Sequence, residues 1–368
     1  MGLSELDYKL LQLVELSPTM SIQELAQRAG TSWITAKKHI QHLRDIGVLS
    51  DPIAVFNPTS LGLKRYVIFF STSNRGQMEQ LEKACDVHPY THYRARIYGP
   101  YPGLFAQFDI PTAAVDNLAD FLSELEKKGL CERFVIEPSS DYRTSTATNL
   151  DLFQTDTMSW DYDWNSWSNE ITQTSSELPE NNSNQSVEPS ELNFTDLKIL
   201  RELTSNANIS QKKLQEKYSL SQSTASRKVI DIKERYIESI RAQIDRSRFN
   251  IVSTKLFYCD NAEDSDRNRL FNAFSLKSAP PFPLSIDLLA QGGVLLWGRM
   301  PPSHEHDLFY SLWPFLPHLQ VFTMDTVGNH SCLYWFYHKN YNPKAKKWKT
   351  NREWVVDSPL DEIESGSE

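Results

Sequence analysis

The sequence predicts an α+β chain written twice. Each copy is a winged helix-turn-helix module followed by a ferredoxin-like βαββαβ domain with an extra aromatic strand or hairpin. Three observations predict this. Within the 368 residues the opening segments of two copies repeat at a constant, ungapped offset of 189. Both copies open with apolar residues at helical spacing, then pass to short apolar runs alternating with amphipathic stretches. Between the copies lies a segment rich in Ser, Asn, Glu and Pro with almost no apolar content.

The repeat is read residue by residue. Asp7, Lys9 and Leu11 recur as Asp196, Lys198 and Leu200, and Ser32, Thr35 and Ala36 as Ser221, Thr224 and Ala225. Lys38/Arg227, Ile40/Val229 and Leu43/Ile232 are conservative pairs. Further on, "GLFAQFDIP" from Gly103 faces "GVLLWGRMP" from Gly293.

In the first copy Leu6, Leu10, Leu13 and Val14 share a helix face, which Pro18 ends. Ile22, Leu25 and Ala26 mark a second helix closed by Gly30. Ser32 caps a third, whose stripe is Ala36, Ile40 and Leu43. The second copy offers Leu197, Leu200 and Leu203, then Leu214, then Ala225, Val229 and Ile232. "GVLSDPIAVFNP" after the third helix is β-like and suits a wing. The strand–helix–strand–strand–helix–strand order follows in each copy, and a four-stranded sheet with one bare face calls for a partner sheet. The divisions fall at 1–50 (first winged helix), 51–138 (first sheet domain), 139–170 (aromatic acidic extension) and 171–191 (flexible linker). The second copy runs 192–250 (winged helix), 251–326 (sheet domain), 327–356 (aromatic and basic extension) and 357–368 (acidic tail). Trp160, Tyr162 and Trp164 alternate as on one face of an added strand. Such a strand covers a sheet edge; the other reading is an aromatic platform for bases or a partner.

Charge is unevenly spread. The chain carries a net −9, and between Ser139 and Glu191 ten acids face Arg143 alone. The second winged helix, Leu192–Asn250, has twelve basic against seven acidic residues, while Ser4–Ser50 is balanced. Arg241, Arg246 and Arg248 follow the second recognition helix, where a wing meets phosphate. Cys85, Cys131, Cys259 and Cys332 form no CxxC pair, so buried reduced thiols are expected rather than disulfides or zinc. No charged-then-apolar leader and no apolar run near ~18 residues is present, so a cytoplasmic chain without membrane spans is expected.

The modules resemble the Lrp/AsnC (feast/famine) transcription regulators, in a tandem, two-copy, archaeal-type form. "LSELDYKLLQLV" is similar to the family's opening helix, and "SIQELAQRAGTSWITAKKHIQHLRDIGVLSDPIAVFNPTSLG" to its whole reading module. "LSQSTASRKVIDI" is similar to its recognition helix. The resemblance implies a sequence-specific DNA-binding regulator working as a dimer or, here, an intramolecular pseudo-dimer. The family's small-molecule loop carries Gly-x-x-Asp; "YGPYPGLF" and "LAQGGVLL" have no Asp, so an amino-acid effector is not expected.

A recognition helix needs one apolar face inward and one short, hydrogen-bonding face for the major groove. In the second copy that outward set is Gln222, Ser223, Ser226 and Arg227, with Ser221 as cap and Lys228 at the phosphate edge. In the first copy Ser32 caps, and Trp33, Ile34, Lys37 and Lys38 face outward. Double-stranded DNA is thus the expected partner. The alternative is a ligand-sensing or scaffold protein whose winged helices dock protein. His304 and His306 read as exposed loop residues, and His88 and His92 flank a turn with no carboxylate framework. With no nucleophile elbow, phosphate loop or paired catalytic carboxylates, no catalytic residue, cofactor, metal or enzymatic activity is expected.

Overall fold

The computed structural model describes residues 2–180 and 188–365. The first copy runs α1 Glu5–Leu16, α2 Ile22–Ala29, α3 Trp33–Asp45, β1 Leu49–Phe56, β2 Leu63–Ser71, α4 Arg75–Val87 and β3 Thr91–Tyr98. It continues with β4 Gly103–Pro111, α5 Val115–Lys127, β5 Arg133–Ser145, β6 Phe153–Gln154, β7 Ser159–Trp160 and α6 Trp164–Gln173. The second runs α7 Phe194–Ser205, α8 Gln211–Tyr218, α9 Gln222–Tyr236, β8 Ile237–Ile244, β9 Ser253–Cys259, α10 Asp264–Phe274 and β10 Leu284–Leu289. It closes with β11 Val294–Met300, α11 Glu305–Leu312, β12 Gln320–Asp325, β13 Ser331–Leu333, β14 Tyr341–Asn342, β15 Lys347–Trp348 and α12 Ser358–Ser365.

The helices begin where short polar residues satisfy their free N–H groups. Ser4 with Asp7, and Ser21 with Glu24, form reciprocal capping boxes. Gly30 ends α2 in the left-handed region at φ +71°; its counterpart Ser219 holds φ +53° at the end of α8. In the second copy α9 runs straight into β8, without the Ile46–Gly47–Val48 turn of the first.

The two sheets close on each other. The strand order β12-β9-β11-β10-β5-β2-β4-β3 is sealed by β3 pairing with β12, giving an eight-stranded antiparallel barrel. Its two seams join the copies: Asp287 faces Arg143 across one, and Asp325 faces Arg96 across the other. Closure covers each sheet's bare face and removes its free edges. Inside pack Val67, Phe69, Ala95, Phe105, Leu256, Tyr258, Leu295 and Phe322. Outside, α4 and α5 cover one half, and α10 and α11 the other.

The wings are exchanged. Strand β1 pairs antiparallel with β8, with Ile53 opposite Arg241 and Ala54 opposite Ile240. Ala54 and Phe56 pack into the core of the second winged helix with Leu197 and Leu200, while Ala242 and Ile244 join Leu10 and Leu11 in the first. Neither wing is a free hairpin, because each completes the other copy's core.

The extensions repeat the exchange. The aromatic strand expected through Trp160, Tyr162 and Trp164 is instead the small hairpin β6–β7, after which Trp164 opens α6. Asp163 accepts from the Ser166 N–H and so starts a helix that breaks the alternation. Trp160 Nε1 donates to the Phe249 carbonyl of the second copy at 2.8 Å, and Trp348 Nε1 to the Leu61 carbonyl of the first at 2.9 Å. The expected linker starts late. Ile171 is buried, and the carbonyls of Thr174, Ser175, Ser176 and Glu177 accept from Arg269, Asn268 and Asn272 on α10. Residues 181–187 of that linker lie outside the described residues. Nor is the acidic C-terminal stretch a mere tail: α12 buries Ile363 against α4, and Lys128 pairs with Glu364 at 2.6 Å.

Candidate functional site

The recognition helices present their expected faces in part. Ser32 and Ser221 cap α3 and α9, accepting from Thr35 N–H at 3.1 Å and Thr224 N–H at 3.2 Å. Trp33 and Ile34 are 49% and 61% exposed, Lys37 lies 4.8 Å over the Trp33 ring, and Lys38 is exposed. Gln222, Ser223 and Arg227 are exposed, whereas Ser226 is half-buried and bonds Gln211. Lys228 corrects the sequence reading. It lies three residues after buried Ala225 and four before buried Ile232, so its stem follows the domain and its ammonium pairs with Asp196 at 2.5 Å. One repeat earlier, His39 meets Asp7 at 2.8 Å in the same place. Two of the three arginines beyond α9 are likewise turned away from phosphate, while Arg248 stays exposed, 3.6 Å from Asp245. Arg246 grips Glu15 of the first copy with both bonds from Nη2, at 2.7 and 2.8 Å, and Arg241 turns to the barrel.

A second site lies where the exchanged wings cover one mouth of the barrel. There a cavity of about 130 Å³ is lined by Arg65, His92, Gln107, Arg143, Arg241, Asp287 and Trp297, with Ile53–Phe56 of β1. Barrel mouths collect ligands because inward side chains of many strands converge there. Arg65 holds Asp109 through two bonds of 2.7 Å, and the His92 imidazole stands 3.2 Å from the same carboxylate. His92 has no carboxylate close to it along the sequence; Asp109 reaches it only through the pairing of β3 with β4. Arg143 forks onto Glu238 at the rim, and its Nε lies 3.8 Å from Asp287.

Three side chains of this cavity are left over among the described residues. Arg241 has no hydrogen-bond or ion-pair partner among the described residues. Asp287 is 1% exposed, and neither of its oxygens has a hydrogen bond; the Trp297 Nε1 is equally bare. Leaving buried polar groups unmade costs about 1–3 kcal/mol each. Ordered water, an ion or a ligand can supply the missing partners of such groups.

The repeat explains the placing. Val67, Gln107 and Tyr93 are neighbours across three strands of the first copy, and Leu256, Trp297 and Ser285 across the matching three of the second. One row further in, Phe69, Phe105 and Ala95 correspond to Tyr258, Leu295 and Asp287. The cavity therefore straddles the approximate twofold axis between the copies. In a symmetric pair its two halves would be identical. Fusion lets them differ, and Asp287 stands where the first copy has Ala95.

The charges are pushed apart by this setting. Burial raises Asp109 and Glu238, but Arg65 and Arg143 respectively outweigh it and hold both carboxyls below the ordinary range. For Asp287 burial prevails over Arg143, Arg65 and Arg241, and its carboxyl is raised. Burial, with Arg65, pushes the His92 imidazole down to about 3; burial does the same to His88, packed on Phe108 and Phe121. A buried neutral histidine has a sign that can be worked out. Below about pH 6.5 the unfolded imidazole takes up a proton that the folded one refuses until about pH 3. Stability therefore falls as pH drops through that window, by up to about 1.4 kcal/mol per pH unit for each histidine. Urea unfolding between pH 6.5 and 4 should show a slope about one proton shallower in His88→Leu than in the parent; an unchanged slope would mean His88 titrates normally in the fold.

Beside this cavity, and sharing Tyr334 and Trp335 with it, runs a groove of about 410 Å³. Arg201 of α7, Tyr337 and Trp354 face it. His304, expected exposed, is half-buried instead and accepts from Trp164 Nε1 at 2.8 Å, because α6 folds over it.

Two stretches match a winged helix-turn-helix DNA-binding family. They are residues 3–50 and 192–229, the two reading modules. No curated protein matches the chain in sequence. Among solved structures, that of the siroheme decarboxylase NirDL aligns with 99% of this chain and 100% of its own, at TM-score 0.54 and 12% identity. LrpC of B. subtilis aligns with 38% of this chain and 96% of its own, at TM-score 0.33 and 16% identity. AsnC of E. coli aligns with 38% and 94%, at TM-score 0.32 and 16% identity. The expectation that the chain is no enzyme is thereby overturned, since the fold along its full length is one that an enzyme uses. Among the described residues no helix is long and apolar enough to cross a membrane.

Proposed function

We propose that the chain binds a tetrapyrrole bearing several carboxylates at the covered barrel mouth and removes carboxyl groups from it. The observation that carries this reading is Arg241, without a hydrogen-bond or ion-pair partner among the described residues, beside Asp287, whose two oxygens make no hydrogen bond there, in the cavity at the covered barrel mouth. A guanidinium in want of an acceptor selects a carboxylate, which it binds with two parallel bonds. A cavity of about 130 Å³ takes a carboxylate arm and no more. The macrocycle then lies in the neighbouring groove, where Trp335, Tyr337 and Trp354 offer aromatic faces and Arg201 a further cation. The full-length likeness to a siroheme decarboxylase supports the choice of substrate and reaction. Binding at the twofold axis sets one ligand per chain. Titrating the full chain with iron uroporphyrin III should shift the porphyrin absorbance and saturate at one equivalent, and mass spectrometry should find products lacking carbon dioxide. Saturation at two equivalents, or no binding at all, would refute the reading.

A second reading, sequence-specific DNA binding through α9, is favoured by the exposed Gln222, Ser223 and Arg227 on one helix face. Arg227 suits a guanine, and Arg227→Ala should then cost about 1–3 kcal/mol and relax preference at one base position. Lys228→Ala should act differently from a lost phosphate contact. It frees Asp196 from its partner and should lower stability by on the order of 1–3 kcal/mol while leaving the salt dependence of binding alone. Binding to selected and scrambled duplexes across a salt series, beside thermal unfolding, checks both.

A further inference from the structure

We propose that Asp287 is the proton donor of the barrel-mouth site, delivering its proton to the substrate carbon that loses a carboxylate; this rests on the decarboxylation reading above. The geometry singles it out. Three carboxyls surround the cavity. Asp109 is locked by two bonds from Arg65, and Glu238 is gripped by Arg143 at the rim. Asp287 alone is fully buried, lines the cavity and has both oxygens free of hydrogen bonds. It sits opposite Arg143 across the seam between β10 and β5, at the position where the first copy has Ala95, which cannot hold a proton.

The step balances without an oxidant. The bond between the side-arm carbon and its carboxylate breaks, carbon dioxide departs, and the electron pair stays on the carbon next to the conjugated ring. The Asp287 O–H bond then breaks, its proton forms the new C–H bond, and Asp287 is left as a carboxylate. Solvent restores the proton when the product leaves. Each turnover consumes one proton and nothing is oxidised or reduced.

The surroundings keep the acid protonated until it is needed. Burial is the dominant influence and favours the neutral form, and Glu238 on β8 adds to it. Arg143 on β5, Arg65 on β2 and Arg241 on β8 oppose it. Arg143 is already committed to Glu238, and Arg65 to Asp109, so much of their charge is answered before it reaches Asp287. This is the arrangement in which one carboxyl of a site stays an acid while its neighbours stay ionised. When a substrate carboxylate occupies Arg241, that cation's pull on Asp287 is also answered, and the acid form gains further.

The test uses the full chain and iron uroporphyrin III. Asp287→Asn keeps size and shape and cannot donate a carboxyl proton. It should bind the porphyrin within about threefold of the parent and turn it over at least 100-fold more slowly. Asp287→Glu should recover part of the rate. The parent's turnover should decline at high pH with a single ionisation, and the residual rate of Asp287→Asn should lack that decline. If the parent decarboxylates the porphyrin and Asp287→Asn does so as fast, or with the same pH profile, Asp287 is not the donor, although the site reading stands. If the parent neither binds nor decarboxylates it, the site reading falls and this assignment with it.

Discussion

Replacing Arg241 with methionine is expected to stabilise the free protein and to cripple ligand binding together. Arg241 places a cation against the barrel mouth with no partner among the described residues, and burial already lowers the affinity of its guanidinium for its proton. Methionine of similar length removes the desolvated charge and keeps the apolar stem. Swapping buried charge for apolar volume gains on the order of 1–4 kcal/mol in favourable cases. The same exchange deletes the free carboxylate partner, worth about 1.5–3 kcal/mol when charge-assisted. Affinity for iron uroporphyrin III should fall about 10- to 100-fold while the urea midpoint rises. A midpoint that falls with affinity unchanged would assign Arg241 to structure and remove it from the site.

The opposite result is expected at Arg65. This guanidinium is buried, its two bonds hold Asp109, and Asp109 in turn faces His92. Arg65→Met leaves a buried carboxylate without its fork, answered only by the His92 imidazole beside it and by the field of Arg143. Breaking one half of a buried pair costs about 3–5 kcal/mol, so this single change should rank among the most destabilising in the chain. Arg65→Met combined with Asp109→Leu removes both charges and should recover most of that loss. Such non-additivity marks a pair, and urea unfolding of the two singles and the double measures it. Equal, additive losses would mean that the fork contributes packing alone.

Much of the fold was legible because it rests on local rules. Caps at Ser4, Ser21, Ser32 and Ser221 start helices through their own side chains. The offset of 189 carried the two-copy architecture, and the alternation of strands and helices carried the sheet domains. The misreadings share a cause. Lys228 looks solvent-facing until α7 brings Asp196 beside it. His92 looks bare until β4 brings Asp109 across. Arg241 looks like a wing cation until β8 pairs with the other copy's strand. In each case the deciding neighbour is distant in sequence, and no spacing rule reaches it. Trp164 is a different case: its helix start was readable from Asp163 and Ser166, and the aromatic alternation masked it.

By itself the sequence determined that there are two copies, which segments are helix and strand, and where the recognition helices begin. Those properties depend on side chains within a few residues of one another, through caps, periodicity and turns. Only the tertiary structure decided that the wings cross over, that two sheets close into one barrel, and that three arginines and three acids meet at its mouth. A charge's meaning depends on what lies within a few ångströms of it and on how much water is excluded there. Arg65, Arg143 and Arg241 are alike in the sequence. Two of them pair, with Asp109 and with Glu238, and serve as struts; the third has no hydrogen-bond or ion-pair partner among the described residues and is the one we propose takes a ligand carboxylate.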